Sequence, residues 1–446
     1  MRGGFVGRFA PVRERSTDDP GFSGSLWART AAPPPGLPVL RGPVEADVAI
    51  VGAGFTGLST ALHLAEAAPG LATVVLEARE PGFGASGRNN GQVIPTLTRP
   101  DPDDLVARLG PERGERFVAL VRDSAAFTFA LIRRLGIDCE AVQAGWIQPA
   151  HSPERFERVS RKRFEQWARR GAEVELLEPE RLAERLGSEA WFGGWAARTG
   201  GHLNPLAFAR GLARAVVARG VGLFARSPVT GLERRGARWR LATPGGSVEA
   251  RRVLLATAAY SGPPTEVLAR TFVPFRPWML ASEPLGENVR RSVVPGGEAV
   301  SDTRADLRFL RWTIDGRLVS GGALALPLAE RARLEQRVAR FLTEAFPPLA
   351  GLRFEFAWTG SIALTPDRHP HLLALGPDLY AWIGCNGRGV ALATALGPHL
   401  AALLAGEDER ALPLPLERSK PIPLPGLAAV LGRLALPYHR WLDSRP

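Results

Sequence analysis

The chain has 446 residues, 45% hydrophobic and 23% charged, with a net charge of +11. That is ordinary usage for a large enzyme of two or three domains, and it excludes a disordered or fibrous protein. The basic excess is almost all arginine, with lysine only at Lys162 and Lys420, and it accompanies abundant Ala, Gly and Pro, which share GC-rich codons. No long basic tract forms, so nucleic acid is not an expected partner.

Taken in chain order, residues 1–44 are rich in Gly, Pro and Arg, include Pro33-Pro34-Pro35, and read as an extended arm. The first ten residues hold no adequate apolar stretch and no twin arginine, so no signal peptide is expected and the predicted location is cytoplasmic. The run 48–58 is an apolar strand that breaks into Gly52, Gly54 and Gly57 and continues as a helix over 58–66. A second strand, 73–77, ends in Glu77. Strand, turn, helix, strand and acid in this order form a dinucleotide fingerprint. Gly52 permits the tight turn, Gly54 lets backbone approach a pyrophosphate, and Gly57 lets helix and strand pack closely. Phosphates would sit on the helix N-terminus and Glu77 would hold ribose hydroxyls.

A polar, Gly-rich loop follows over 82–92. Helices are predicted over 102–109, 111–135, 153–170 and 179–186, each opened by a proline. An amphipathic helix over 206–219 precedes strands at 222–225, 229–233, 238–241 and 252–256. Residues 271–322 are strand-like, with alternation over 307–313 and a turn at Ile314-Asp315-Gly316-Arg317, and a helix is predicted over 328–345. The last strand, 379–383, opens through Gly384-Cys385-Asn386-Gly387-Arg388-Gly389 into an apolar stretch to Gly406. That stretch is short for a bilayer and contains Gly397, Pro398 and His399, so it reads as a buried helix and no integral membrane span is expected. The bend at 384–389 either aims N–H groups at a carbonyl or anionic ring, or exists only for packing. Two cysteines, Cys139 and Cys385, make no disulfide framework, and seven histidines show no ligand spacing, so no metal is expected.

Five motifs in order carry a resemblance: 52–57, 84–92, the segment Gly201-His202-Leu203-Asn204-Pro205, the strand 358–367 and the terminal 386–393. Together they resemble the FAD-dependent D-amino-acid oxidase (DAO) superfamily, and within it the γ-glutamylputrescine oxidoreductase and glycine/sarcosine oxidase-like branch, from about residue 47 to 406. The resemblance implies an α/β (α+β) fold: a Rossmann-like FAD-binding domain of the glutathione-reductase type, with an inserted substrate domain on a large mixed or antiparallel sheet. It divides the chain into an FAD domain over 45–100, 200–270 and 350–410, a substrate domain over 101–199 and 271–349, and a tail over 411–446. By the same resemblance, Gly52, Gly54, Phe55, Thr56, Gly57 and Glu77 hold the ADP half. Ala85, Ser86, Arg88, Asn89, Asn90 and Gln92 line the flavin side, and Val229, at a strand start, meets the adenine. Gly387, Arg388, Gly389 and Val390 face the pyrimidine end of the flavin.

Three departures from the family pattern matter. Asn90 stands where a second glycine is usual, a place asparagine can fill in a left-handed conformation. Neither 82–92 nor 358–361 has a cysteine or histidine for covalent attachment, so FAD is expected to be non-covalent, with Cys385 the nearest thiol. No lysine matches the one that promotes oxygen reaction in sarcosine-oxidase relatives, so the electron acceptor is either O2 or a carrier.

The chemistry implied is hydride transfer to flavin N5 from a C–H beside an amine nitrogen, followed by hydrolysis of the imine. The substrate is a small amine or amino acid (a secondary amine, a γ-glutamyl-polyamine or a D-amino acid). The oligomeric state is left open. His202 is a candidate base or a structural residue. Arg311, sharing a strand face with Phe309, either pairs a substrate carboxylate or is solvated. Tyr260 sits where a strand end meets a crevice. Trp146, Trp278 and Trp312 form either an aromatic wall for a cationic amine or plain core. Rival readings are a carrier-linked dehydrogenase of an amine or 2-hydroxy acid, an RNA-binding or RNA-modifying flavoprotein, and a non-catalytic flavin-binding protein.

Overall fold

The computed structural model describes residues 20–305, 308–325 and 329–443. Two large sheets organise it. The first, nine-stranded, runs Leu416–Arg418, His371–Gly376, Leu379–Ile383, Gly246–Leu255, Gly42–Val51, Thr73–Leu76, Gly222–Phe224, with the antiparallel ribbon Gly231–Arg235 and Arg238–Thr243 attached to Gly246–Leu255. Its centre is parallel: Gly42–Val51 pairs with Gly246–Leu255 on one side and Thr73–Leu76 on the other. Strands covered on both faces must be apolar throughout, and Val48, Ala49 and Ile50 are each fully buried.

The covering helices are buried to match. Phe55–Ala67 carries nine buried residues and is enclosed rather than amphipathic. It packs on Pro205–Val217 and on Gly397–Ala405, where Gly397 lets the backbones approach: a Cβ there would lie 2.6 Å from Ser59 Cβ. The apolar stretch expected as one buried helix is two, Val390–Ala395 and Gly397–Ala405, because Pro398 has no N–H to continue the first. Among the described residues no helix is long and apolar enough to cross a membrane.

The second sheet has eight strands in the order Phe354–Thr359, Trp278–Ser282, Leu318–Gly322, Phe309–Trp312, Ala299–Ser301, Trp146–Pro149, Gly194–Ala197, Val174–Leu177. It is antiparallel except where Ala299–Ser301 meets Trp146–Pro149. The helix Glu330–Ala345 covers one face through Leu334, Val338 and Leu342. Two short ladders tie the sheets together, Gln92–Val93 with Gly201–His202 and Val273–Phe275 with Ile362–Leu364.

Several boundaries differ from expectation. Phe354–Thr359, assigned above to the FAD domain, belongs to the second sheet, because it pairs with Trp278–Ser282 in the register Trp278 to Thr359. The helix Pro111–Leu135, assigned to the substrate domain, packs on Val390–Ala395 of the nucleotide half. The tail contributes the edge strand Leu416–Arg418 and a helix, Pro425–Asp443. Of the extended arm, residues 1–19 lie outside the described residues. From Pro20 the chain is not an arm: Pro20–Ser23 and Leu26–Thr30 are helical, and Leu26 and Trp27 are core. Burial of a tryptophan outweighs the local Gly/Pro composition.

Candidate functional site

The site lies at the carboxyl ends of the central parallel strands, where open α/β sheets bind ligands. Gly52 has φ 106°, and a Cβ on it would lie 2.9 Å from Ala256 O. A Cβ on Gly54 would lie 2.8 Å from Ser86 Oγ, and one on Gly57 would run into Gly52 O and come within 3.2 Å of Ile50 Cγ2. Gly52 and Gly57 are thus steric requirements of the turn, whereas Gly54 meets only the Ser86 side chain. Phe55 N–H donates to Ser86 Oγ at 3.0 Å, so the loop 82–92 is fastened to the start of the helix. Amides of that first turn have no partner within the helix and suit a pyrophosphate. Glu77 accepts from Ala53 N–H (2.8 Å) and Arg79 N–H (2.9 Å), which fixes the turn from below. Burial pushes its carboxyl up against these two hydrogen bonds. Ser227 N–H donates to Glu77 O, which brings Val229, two residues on, to the nucleotide end of the sheet; the strand itself starts at Gly231.

The loop expected to line the flavin holds a 3-10 turn, Ala85–Gly87, followed by a knot of polar contacts. Asn89 donates to Ala85 O and Ser86 O and accepts from Gly91 N–H; Asn90 accepts from Gln92 N–H. The left-handed position is Gly91 (φ 77°), not Asn90, so the substituted glycine needed no special conformation. Gln92 Nε2 donates to Val300 O and Leu310 O, while its buried Oε1 has no partner among the described residues. An orphaned acceptor in this loop calls for a donor from outside the protein.

The second junction, 384–390, is fastened by Asn386. Its Oδ1 accepts from Thr365 N–H (2.9 Å), its Nδ2 donates to Gly384 O (2.7 Å), and its carbonyl accepts from Thr98 Oγ1 (2.9 Å). Gly387 has φ 94°, and the nearest atom to a Cβ there is Ile362 Cδ1 at 3.8 Å. Its backbone therefore stands open. Arg388 N–H is used by Cys385 O, so that amide is not available to a ligand as expected. The Arg388 guanidinium points elsewhere as well, donating to Leu97 O and lying 4.8 Å over Trp146. Burial and neighbouring Arg163 lower its pKa to about 9. The cysteine near this loop is a poor nucleophile, because burial pushes the Cys385 thiol up.

Other expected residues are placed differently. Arg311 is not solvated and does not open to a substrate: it donates to Asn90 O, Leu203 O and Trp312 O and lies 4.6 Å over Trp27. It clamps the two loops. His202 has the same structural role, with Nε2 against Gly297 O (3.1 Å) and Nδ1 facing Arg311. Burial and Arg311 depress it to about 3, so it is neutral and enclosed rather than a base. Arg88 is likewise committed, to Phe83 O and Thr359 O and to the faces of Phe83 and Phe22. The three tryptophans do not form one wall. Trp312 donates to Val293 O within the second-sheet core, Trp278 packs against that core, and Trp146 already holds Arg388. Tyr260 does join the site: it follows the strand Gly246–Leu255, its ring backs Gly84, and its hydroxyl accepts from Ser361 N–H at 3.2 Å.

Sequence reasoning missed Trp27. Its Nε1–H donates to Asn89 O at 2.8 Å and its ring meets Trp358 edge-on at 5.6 Å; Trp358 in turn donates to Arg88 O. A lone Leu-Trp behind the cap Ser25, in an otherwise Gly- and Pro-rich segment, was the available signal. The Thr365–Asn386 pairing was missed too, since it joins residues far apart in the chain.

A parallel sheet with a glycine cradle, a helix N-terminus and a strand-end carboxylate defines a dinucleotide-binding protein, and the residues present fit an ADP-containing cofactor. The chain belongs to the FAD-dependent oxidoreductase (DAO) family, whose model matches residues 47–403. It is an FAD-dependent oxidoreductase. It is 32% identical over 388 residues to γ-glutamylputrescine oxidoreductase of Escherichia coli (strain K12), covering 86% of this chain and 90% of that protein. In fold it is similar to glycine oxidase from Geobacillus kaustophilus, with a TM-score of 0.68 at 20% identity over 84% of this chain and 99% of that one. L-proline dehydrogenase from P. horikoshii gives a TM-score of 0.69 at 18% identity, covering 82% and 95%.

Proposed function

We propose that this protein oxidises the C–N bond of an amine or amino acid, using FAD held without a covalent bond. The observation that carries the reading is the 32% identity to an amine-oxidising relative across 86% of the chain. When bound, FAD supplies the two-electron oxidation of a C–H beside nitrogen, and water then hydrolyses the imine. The chain's own part is to bind, orient and exclude water. The Gly52–Gly57 turn and the amides after it take the pyrophosphate, and Glu77 takes the ribose. Ser86, Asn89 and Gln92 shape the flavin side, and Tyr260 braces the Gly84 and Ser361 backbones against each other. Buried Trp146 and Trp358 keep water out from the substrate-sheet side.

His202, Tyr260 and Arg311 give no general base: the histidine is enclosed, the arginine is a clamp and the tyrosine hydroxyl accepts a backbone bond. The amine must therefore arrive neutral. An alkylamine has a pKa near ~10, so kcat/KM rises about tenfold per pH unit through neutrality. A flat profile would mean that a base has been overlooked. Neither lysine supports fast oxygen use, since Lys162 is half exposed beside Asp101 at 3.9 Å and Lys420 is in the tail. A carrier such as a quinone is therefore the preferred acceptor. Unpaired Cys139 and Cys385 suit a reducing cytoplasm.

The test is to mix the FAD-loaded protein without oxygen with secondary amines, D-amino acids and 2-hydroxy acids, following the flavin band, and then to admit air. Bleaching by an amine and slow recovery support the reading; bleaching only by a hydroxy acid overturns it. Acid precipitation should leave FAD in the supernatant.

A further inference from the structure

The helix Pro425–Asp443 carries an apolar stripe that faces solvent. Leu427, Val430, Leu431, Leu434, Tyr438 and Trp441 are each between 49% and 58% exposed. At 100° per residue these six fall within about 100° of arc, so they line one side of the helix. Ala428 and Ala435, to one side of the stripe, are half-buried, and the helix rests on the strand Val273–Phe275. Polar bonds hold its far end, where Arg440 donates to Ala323 O and Asp443 accepts from Ala305 N–H at 2.8 Å. A surface helix ordinarily turns its apolar stripe inward, and a contiguous exposed apolar patch marks an interaction surface.

The patch continues past the start of the helix and is rimmed there by cations. Ile422 N–H donates to Arg270 O at 2.7 Å, which sets the segment 265–270 beside the approach to the helix. Val267 and Leu424, in these segments, are 51% and 63% exposed. Residues 265–270 and 418–424 together carry Arg270, Arg418 and Lys420 against one acid, Glu266. All three cations are exposed, and none makes a side-chain hydrogen bond or ion pair among the described residues.

A stripe of Leu, Val, Tyr and Trp beside unpaired cations suits a helix lying in the interface of a bilayer, with its apolar side among the acyl chains and the cations at anionic headgroups. Tyr438 and Trp441 are of the types that prefer headgroup depth. A second copy of the chain is a poorer occupant, because each copy carries +11 and like charges repel. Among the described residues no helix is long and apolar enough to cross a membrane, so this one would lie on the surface. We propose that Pro425–Asp443, with Val267 and Leu424, docks this protein on an anionic lipid surface. The docking needs no turnover and does not depend on the amine-oxidising activity.

Sedimentation with sucrose-loaded vesicles tests it on the full chain loaded with FAD. The wild type should pellet with vesicles of phosphatidylcholine containing phosphatidylglycerol, and at least about tenfold less well with phosphatidylcholine alone. Added salt should release it. The double variant Leu431→Glu with Leu434→Glu should lower the partition coefficient at least about tenfold, and Arg270→Ala and Lys420→Ala about fivefold each. Ile314→Glu changes an exposed apolar residue in the turn after Phe309–Trp312, at the end of that strand away from Ala305, and should bind as the wild type does. A wild type that stays in the supernatant with the anionic vesicles, or a double variant that pellets as the wild type does, overturns the proposal. Equal pelleting with neutral vesicles overturns the assignment to an anionic surface. Light scattering without vesicles decides the rival occupant: a wild-type dimer that the double variant converts to monomer assigns the stripe to a second copy and overturns the lipid surface. Retention of the flavin absorbance shows that each variant is folded.

Discussion

The two strand-to-helix junctions look alike in sequence and work in opposite ways. At the first, the glycines are closed in by backbone: Cβ atoms on Gly52 and Gly57 would meet Ala256 O and Gly52 O. At the second, Gly387 has nothing nearer than 3.8 Å to a Cβ, and order comes from the Asn386 side chain instead. The first helix has thirteen residues and the second six. A glycine-rich bend can thus serve close approach or openness, and the surroundings decide which.

The largest break in this contrast is Gly57→Ala. Overpacking against Gly52 O has no flexible side chain to absorb it and costs about 3 kcal/mol or more, so the purified protein should be colourless and its melting temperature should fall. Yellow protein of unchanged stability would show that the turn can shift. Next is Asn386→Ala. It leaves buried Thr365 N–H and Gly384 O without partners, at about 1–3 kcal/mol for such groups. Flavin should stay bound, since the first junction is intact, with its spectrum altered and turnover slowed.

Gly387→Ala sharpens the comparison: only the left-handed backbone opposes it, by about 1–2 kcal/mol. A melting-temperature loss as large as that of Gly57→Ala would mean that the two junctions are alike after all. A pH dependence tests the support of the first junction. His202, at about 3 when folded against 6.5 normally, binds a proton only in the unfolded chain between those values. The unfolded state then holds more protons, so stability is full above pH 6.5 and falls as pH drops toward 3. The slope from this group is up to about 1.4 kcal/mol per pH unit. Denaturant melts from pH 7 to 4 should show it, and His202→Gln should flatten it.

The first junction was legible because its whole mechanism is local: glycine, helix and acid lie within about thirty residues, in the order that a dinucleotide unit needs. Helix starts were legible for the same reason, since Pro102, Pro111 and Pro179 each open a helix as read. What failed was orientation. That Arg88, Arg311 and Arg388 are charged residues in or near ligand loops is visible in sequence. That each is consumed by carbonyls and aromatic faces is decided by partners more than a hundred residues away, such as Thr359, Leu203 and Leu97. Trp27 was lost to composition, because one aromatic cannot outweigh a Gly- and Pro-rich window until its partners Trp358 and Arg311 are known.

The strand order also dictates a sequence of events during synthesis. Gly42–Val51 is central, but its neighbour Gly246–Leu255 is made almost two hundred residues later, and Leu379–Ile383 and the edge Leu416–Arg418 later still. At about 5–20 residues per second, the first strand waits roughly 10–40 s for that partner. Until then its apolar faces and the Gly52–Gly57 cradle have no floor. Cofactor capture is therefore a late event, and a nascent chain stalled before residue 255 offers a chaperone the fingerprint helix bare.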